Sequence, residues 1–472
     1  MSTISCPLYD IARMAPNQIG WHEGGRGYSY PVLHQAAQQI RHRMVHEFGL
    51  KSGDRVVVAA EPDWHWLPLL FACLRAEVIC CPLNTRLPRA ARSERAGYLD
   101  PALQVCGDAG EPILPGVPCV RMGELCDASF LDAGGVPPPP LKLETFATCL
   151  FTTGSMGHPR ALVHTLEAHY YSALGANRNL PMNHRHRYLL SLPLYHVGGM
   201  ALLFRCMLSG TGLVLPEGGR AMVEEVLAQG ITHLSLVPTQ LIRMLAHPRV
   251  GEAGRQLQCV LLGGAPIPRP LVRQALEAGI PVHPTYGMTE TASQICTTGK
   301  VTPLSKRLNT DGAVLDHRRV RVAEDGEICV QGHVLARGEW RAGAVHPLVL
   351  DQGWLRTGDL GIFEEGYVRV RGRKDNRFIS GGENIQPEEI ERALLEISGA
   401  DTVVVTPCPD AEFGARPVAW LRLMEGQMDP AAWSVRLREV LPGYMIPVAY
   451  RALPEDMGLK PDRQSLRRLL ET

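Results

Sequence analysis

Residues 150–165 read LFTTGSMGHPRALVHT. The approach to this stretch, TFATCLF at 145–151, is β-branched and apolar, which predicts a buried strand. The strand runs into Thr152, Thr153, Gly154, Ser155, Met156 and Gly157. The two glycines allow a tight turn and a close approach of backbone to ligand. The hydroxyls and free N–H groups between them can donate to phosphate oxygens. Pro159 restricts the chain, and Arg160 sets a permanent positive charge beside the loop. The pattern fits a triphosphate cradle; taken alone it fits an ordinary Gly/Ser-rich turn equally well. It is not a Walker A loop, because GxxxxGK[ST] does not occur. Beyond the loop, residues 162–174 read as a helix.

The same texture continues outward. Residues 55–60, RVVVAA, predict a buried strand. Residues 61–75 place Trp64, Trp66, Leu69, Leu70, Ala72 and Cys73 on a helix, and VICC at 78–81 is a second strand. Strand, helix and strand at this spacing argue a parallel βαβ unit with the tryptophans in its core. Downstream, strands are expected at 188–194, 232–237 and 260–262, with a helix opened by Pro238. Ligand-type residues follow these strands: His196 and Gly199, then Gly263 and Gly264 in GGAP, then YGMTE at 286–290. Open α/β sheets bind ligands outside the carboxyl ends of their strands. One sheet is therefore expected to gather the loop at 152–160, His196, the 263–266 turn and the 286–290 segment.

GGVPPPP at 134–140 is a stiff connector, and a subdomain boundary is placed near 134–144. From about 311 to 371, short strands with turn signals predict a small β-rich subdomain. Residues 372–375, GRKD, read as a charged hinge. Beyond it come a helix from Pro387, strands at 402–406 and 417–423, and a helix at 433–440. The expected fold class is α/β. A large N-terminal domain (1–372) holds the α/β subdomains and the β-rich one, and a small mobile α+β C-terminal domain (373–472) follows.

A length of 472 residues suggests two or three domains with ample core. Hydrophobic content of 45% and charged content of 20% are those of a globular enzyme. A formal net charge of +0 gives no electrostatic support to a nucleic-acid or anionic-membrane partner. No apolar run approaches the roughly 20 residues that span a bilayer, and the N-terminus lacks a signal-peptide layout. The 13 cysteines show no CxxC pair, so reduced thiols in the cytoplasm are expected. The oligomeric state stays open, a homo-oligomer included.

Six segments, in order, resemble the acyl-adenylate-forming superfamily: 152–160, 286–290, 357–359 (TGD), 372–375, 381–385 (GGENI) and 458–460 (GLK). The likeness spans nearly the whole chain. Within the superfamily it is greatest to the 2-succinylbenzoate–CoA ligases of menaquinone synthesis. That likeness is carried by LLSLPLYHVGGM (189–200), HLSLVPTQLIRML (233–245), VLLGGAPIP (260–268), YGMTETASQIC (286–296), ENIQPEEIE (383–391) and EFGARPVAW (412–420).

The resemblance implies a two-step reaction. A carboxylate attacks the α-phosphorus of Mg-ATP, and the coenzyme A thiol then displaces AMP. It also implies roles. Thr152, Thr153, Gly154, Ser155, Gly157 and Arg160 would hold the β- and γ-phosphates. Glu290 would bind Mg²⁺. Tyr286 would stack on adenine, with Gly264, Gly287 and Thr289 beside the nucleotide. Asp359 and Arg373 would take the ribose. Lys460 would bridge the attacking carboxylate and the α-phosphate. His196 would gate an acid pocket that includes Gly199, Thr239, Arg243, Gly263 and Ser293. Arg243 is the expected partner of a second carboxylate, sharing a helix face with Thr239. Asp375 would be the hinge, and Gly381 and Gly382 would face the coenzyme A thiol. Two positions depart from the family loop: Met156 stands where Thr is usual, and Arg160 where Lys is usual. Both bear on nucleotide affinity. Another aryl- or acyl-CoA ligase, an adenylating enzyme loading a carrier-protein thiol, and a non-catalytic nucleotide-binding protein remain open readings.

Overall fold

The computed structural model of the chain describes residues 2–126, 137–152, 159–423, 427–454, 457 and 461–471. Two large sheets dominate. The first has eight strands, in the order Ala344–Pro347, Gly338–Arg341, Arg160–Thr165, Phe146–Thr152, Ile79–Pro82, Arg55–Ala59, Leu103–Cys106 and Cys119–Arg121. Arg55–Ala59 lies parallel to both its neighbours, as the βαβ pattern predicts. The crossover helix Trp66–Ala76 is apolar all round and buried along almost its whole length, so it is a core helix rather than an amphipathic one. Trp64 and Trp66 are buried, the core role expected of them.

Two expectations fail here. Residues 162–165, expected as the first turn of a helix, are not helical. They belong to a strand antiparallel to Phe146–Thr152, with Thr152 opposite Arg160, and the helix begins only at Leu166. The run ALVHT is buried on both faces between two partner strands, so it lacks the alternation that marks a half-exposed strand. The Thr165 hydroxyl caps the helix by accepting from the Ala168 N–H. The second failure follows from the first. The loop after Thr152 joins two strands of the first sheet, whereas His196 and the 263–266 and 286–290 segments all belong to the second. The site therefore draws on two sheets, not one.

The second sheet has thirteen strands. Its parallel part includes Arg187–Leu189, His233–Leu236, Cys259–Leu262 and Val282–Met288. The expected strand at 188–194 stops at Leu189. Pro193 has no N–H to give a ladder, and its carbonyl instead accepts from His196 N at 3.1 Å. From Ser293–Thr297 onward the sheet turns antiparallel. The strands between 311 and 371 are shared out: Gly338–Arg341 and Ala344–Pro347 extend the first sheet, and the others extend the second. One apolar cluster joins the two sheets through the helices Tyr30–His42, Trp66–Ala76, Leu166–Asn179 and Val197–Ser209.

The C-terminal domain is small and α+β. Ala400–Asp410, Gly414–Leu423 and Ala449–Ala452 form its sheet, with Pro387–Ile397 and Pro430–Arg438 as helices. It has a core of its own, built on Ile390, Leu394, Val405, Leu421, Trp433 and Leu437.

Candidate active site

The strand Val282–Met288 carries Tyr286 and Gly287, and a short 3₁₀ turn, Thr289–Thr291, ends it. The chain then folds back through Ala292 (φ 48°) and Ser293 (φ 104°), conformations that side chains disfavour. Several contacts impose this turn. Ser172 Oγ donates to the Ala292 carbonyl at 2.7 Å, Thr291 Oγ1 donates to the Ser293 carbonyl at 3.1 Å, and the buried Arg318 donates to the Gln294 carbonyl. Gly287 is needed for space: a Cβ there would stand 1.9 Å from the Ser293 oxygen. Gly263 likewise lies against Thr285, the residue before Tyr286, and Gly264 turns away with φ +76°. The GGAP turn and the YGMTE segment are thus brought together.

The Tyr286 hydroxyl donates to Asp359 Oδ2 at 2.6 Å. Asp359 faces Arg373 across the hairpin Leu355–Glu364/Tyr367–Arg373, and Arg373 Nη1 stands 3.3 Å from Asp359 Oδ1. The other end of that guanidinium reaches Asp375 Oδ2 at 3.1 Å. Four residues separated in sequence therefore form one continuous polar chain. Burial pushes the Asp359 carboxyl above the usual aspartate range, although Tyr286 and Arg373 both pull against it. Burial, and then the neighbouring Asp359, push the Tyr286 phenol well above its ordinary value.

Around the loop, Arg160 bridges two carboxylates, Glu290 at 3.3 Å and Glu339 at 3.0 Å. Thr153, Gly154, Ser155 and Gly157 lie outside the described residues, as does Lys460. The Glu290 segment is pinned through its backbone. Ala336 N donates to the Glu290 carbonyl at 2.8 Å, and His164 Nε2 donates to the Thr289 carbonyl at 2.7 Å. Burial lowers the His164 pKa to about 4, so the ring is neutral and Nε2 carries the proton. Sequence reasoning missed both His164 and Glu339. The first sits in an apolar run, and the second meets Arg160 only because their strands pair. No group of three metal-ligand side chains occurs among the described residues. A single well-placed carboxylate nevertheless suits Mg²⁺, which takes one or two protein carboxylates and fills its shell with phosphate and water.

On the acid side, His196 stands at the N-terminal boundary of the helix Val197–Ser209, without a side-chain capping bond, and its ring packs on Tyr195 at 4.7 Å. A Cβ on Gly199 would stand 2.2 Å from the Pro193 carbonyl oxygen, so only glycine fits there. On the helix Pro238–Leu245, Gln240 is tied to Val237 N and the Ser191 carbonyl. The Thr239 hydroxyl is sealed from solvent and has no hydrogen-bond partner among the described residues. Arg243, on the same face, is exposed. Gly381 and Gly382 both adopt positive φ in the turn between Phe378–Ser380 and Glu383–Ile385. Gly381 N donates to the Phe413 carbonyl at 2.9 Å.

Residues 9–340 match the family described as AMP-binding enzyme. The chain belongs to the AMP-binding enzyme family. It is 34% identical over 423 residues to the 2-succinylbenzoate–CoA ligase of Salmonella typhimurium, covering 89% of this chain and 88% of that one. It superposes with a TM-score of 0.86, at 27% identity and 99% coverage of both chains, on the o-succinylbenzoate CoA synthetase of Bacillus subtilis in complex with its acyl-adenylate intermediate OSB-AMP. A double mutant of that synthetase, bound with its product analogue OSB-NCoA, gives a TM-score of 0.71 at the same identity and coverage.

The Tyr286–Asp359 bond leads to a pH prediction. Tyr286→Phe removes a donor from a carboxylate that burial already makes harder to ionise. With Asp359 as the expected ribose ligand, AMP affinity should fall as pH drops through the raised Asp359 pKa, because the protonated carboxyl is a weaker acceptor with fewer free lone pairs than the carboxylate. In the variant that fall should begin at a higher pH. Calorimetric titration of AMP across pH checks this, and superimposable profiles would separate Tyr286 from Asp359 ionisation.

Proposed function

We propose that the protein is an ATP-dependent acid–CoA ligase. It converts 2-succinylbenzoate, ATP and coenzyme A to 2-succinylbenzoyl-CoA, AMP and diphosphate, a step of menaquinone biosynthesis. The observation that carries this reading is the polar chain Tyr286–Asp359–Arg373–Asp375, which runs from a nucleotide-type strand end to the hinge. The relatives' common activity supports the choice of acid.

In the first step the aliphatic carboxylate attacks the α-phosphorus, and diphosphate leaves with its electron pair. Tyr286 stacks on adenine, while Asp359 and Arg373 fix the ribose. The loop residues, Arg160 and Lys460 offset the charge that gathers on the phosphoryl oxygens. Mg²⁺, held at Glu290, would screen the departing phosphates. In the second step the coenzyme A sulfur attacks the acyl carbon and AMP departs, with the Gly381–Gly382 turn facing the thiol. One site serves both steps if the C-terminal domain swings about Asp375. The higher TM-score against the adenylate-bound relative supports placing the present pose on the adenylate side. The cysteines form no disulfide among the described residues, in keeping with the cytoplasmic setting we propose.

The deciding experiment is thioester formation with 2-succinylbenzoate, benzoate, 4-coumarate and medium-chain fatty acids. The diacid should be preferred by a wide margin; preference for another acid keeps the ligase and removes the substrate. The unreacted aromatic carboxylate needs donors in the pocket, and Thr239, Ser293 and Arg243 are our candidates. Because Arg243 is exposed, Arg243→Leu should lower kcat/KM for the diacid by no more than about fivefold. An analogue lacking that carboxylate should be almost unaffected. Equal losses for both would remove Arg243 from the pocket.

A further inference from the structure

Glu327 is a buried carboxylate, 4% exposed, in the strand Glu327–Gly332 of the second sheet. It belongs to none of the six segments quoted above, yet it accepts from three residues beside the site, Arg356, Gly358 and Lys374. Its Oε1 accepts from Gly358 N at 2.8 Å, so it holds the backbone of the 357–359 turn that presents Asp359. Its Oε2 accepts from Arg356 Nε at 2.9 Å and from Lys374 Nζ at 3.1 Å. Burial pushes the Glu327 carboxyl up, but the Gly358 N–H, Lys374 and Arg356 outweigh it and hold the group below the ordinary glutamate range.

Lys374 lies between Arg373 and Asp375, in the hinge turn Lys374–Asn376. Its ammonium also meets Asp325 Oδ2 at 2.8 Å. The opposite side of the same turn is gripped by Glu388, on the C-terminal helix Pro387–Ile397. Glu388 Oε1 accepts from Asn376 Nδ2 and, at 3.4 Å, from Arg373 N. The hinge is thus held between a carboxylate cluster of the second sheet and a carboxylate of the C-terminal domain. A rotation about Asp375 changes the path of the backbone on either side of it. Lys374 stands directly before Asp375, so a change in the Asp375 backbone shifts the root of its side chain against Asp325 and Glu327, whereas Glu388 travels with its own domain.

We propose that Glu327 and Lys374 form a clasp that couples the nucleotide-binding turn to the hinge and sets the balance between the two half-reactions. Glu327 is a positioning residue: it touches no substrate and acts through Gly358 and Lys374. Lys374 is the releasable arm. Its side chain is 43% exposed, so its hold is weak and reversible, as a hinge that must open every turnover requires. The inference rests on the ligase reading above and adds to it a pairing between Lys374 of the 372–375 segment and a carboxylate outside the six segments.

The test compares wild type, Lys374→Met, Lys374→Arg and Glu327→Gln. Diphosphate release from acid and ATP reads the first half-reaction, and thioester formation from supplied acyl-adenylate reads the second. Lys374→Met should lower the ratio of first to second by roughly two- to fivefold, with AMP affinity unchanged. The shift should shrink at high salt, since an exposed pair is screened. Lys374→Arg should restore the ratio. Glu327→Gln should move the ratio the same way and also weaken AMP binding, because the Gly358 turn loses its charged acceptor. An unmoved ratio in Lys374→Met, or a shift that arginine does not reverse, overturns the clasp. Wild type inactive in both half-reactions would overturn the ligase reading instead.

Discussion

Lys460→Ala is expected to lower the adenylation rate by about a hundredfold or more while thioester formation from supplied acyl-adenylate survives. In the mechanism proposed above this residue reaches the attacking carboxylate and the α-phosphate. Two negative groups must approach there, and a positive charge lowers the barrier chiefly where their charge crowds in the transition state. Lys460 lies outside the described residues, but the chain just beyond it is firmly anchored. Arg463 opens the helix Arg463–Glu471, with Nη2 at 2.9 Å from Glu391 Oε2 and 3.3 Å from Glu388 Oε1. Its Nη1 also donates to the Val405 carbonyl at 2.6 Å. These contacts join the segment after Lys460 to the C-terminal domain, so the lysine should be delivered to the nucleotide, and withdrawn, as that domain turns. In the proposed mechanism the second half-reaction does not call on it. Rapid-quench measurement of each half-reaction decides the matter. Equal losses in both would mean that Lys460 serves the whole site, or the fold, rather than one step.

Much of the architecture is legible in the sequence where one physical signal dominates. The runs at 55–60 and 78–81, with an apolar helix between them, leave little choice but a parallel unit. Asp359 and Arg373 are 14 residues apart, and the Glu365-Gly366 turn between two strand-like runs makes their pairing readable. The strand 160–165 was hidden for the reason that makes it stable, its burial on both faces. Once it is read as a helix, the loop at 152–160 falls on the wrong sheet. Long-range polar pairs leave no trace at all. Arg160 and Glu290 are 130 residues apart, and nothing local marks them as partners. Gly287 is visible as part of a motif, but its reason, the Ser293 carbonyl, appears only when the chain folds back. Glu327 looks like any polar residue after a DG turn until its donors are seen.

The exchange of Thr for Met156 and of Lys for Arg160 bears on the other large effect expected. Arg160 already lies against Glu290, so the proposed magnesium ligand is partly neutralised before nucleotide arrives. A guanidinium spreads its charge over a planar fork and can hold Glu339 and Glu290 together, where a compact ammonium offers a single point of contact. When ATP enters, its terminal phosphates become competing acceptors for Arg160. Glu290 would then be free to turn toward the metal, while Glu339 would keep the other edge of the guanidinium in place. Glu290→Gln should therefore lower adenylation by about a hundredfold or more at ordinary magnesium concentration, since one of the few protein oxygens available to the ion loses its charge. Raising magnesium should recover part of the rate. Thioester formation from supplied acyl-adenylate should change little, because no diphosphate leaves in that step. In the variant Arg160 keeps its charge pair with Glu339 and loses only the charge of its other partner, so KM for ATP should rise less than kcat falls. Diphosphate-release assays over a magnesium series read both parameters. A loss that magnesium does not relieve, or one of equal size in the second half-reaction, would place Glu290 in the support of the strained turn at Ala292 and Ser293 rather than at the metal.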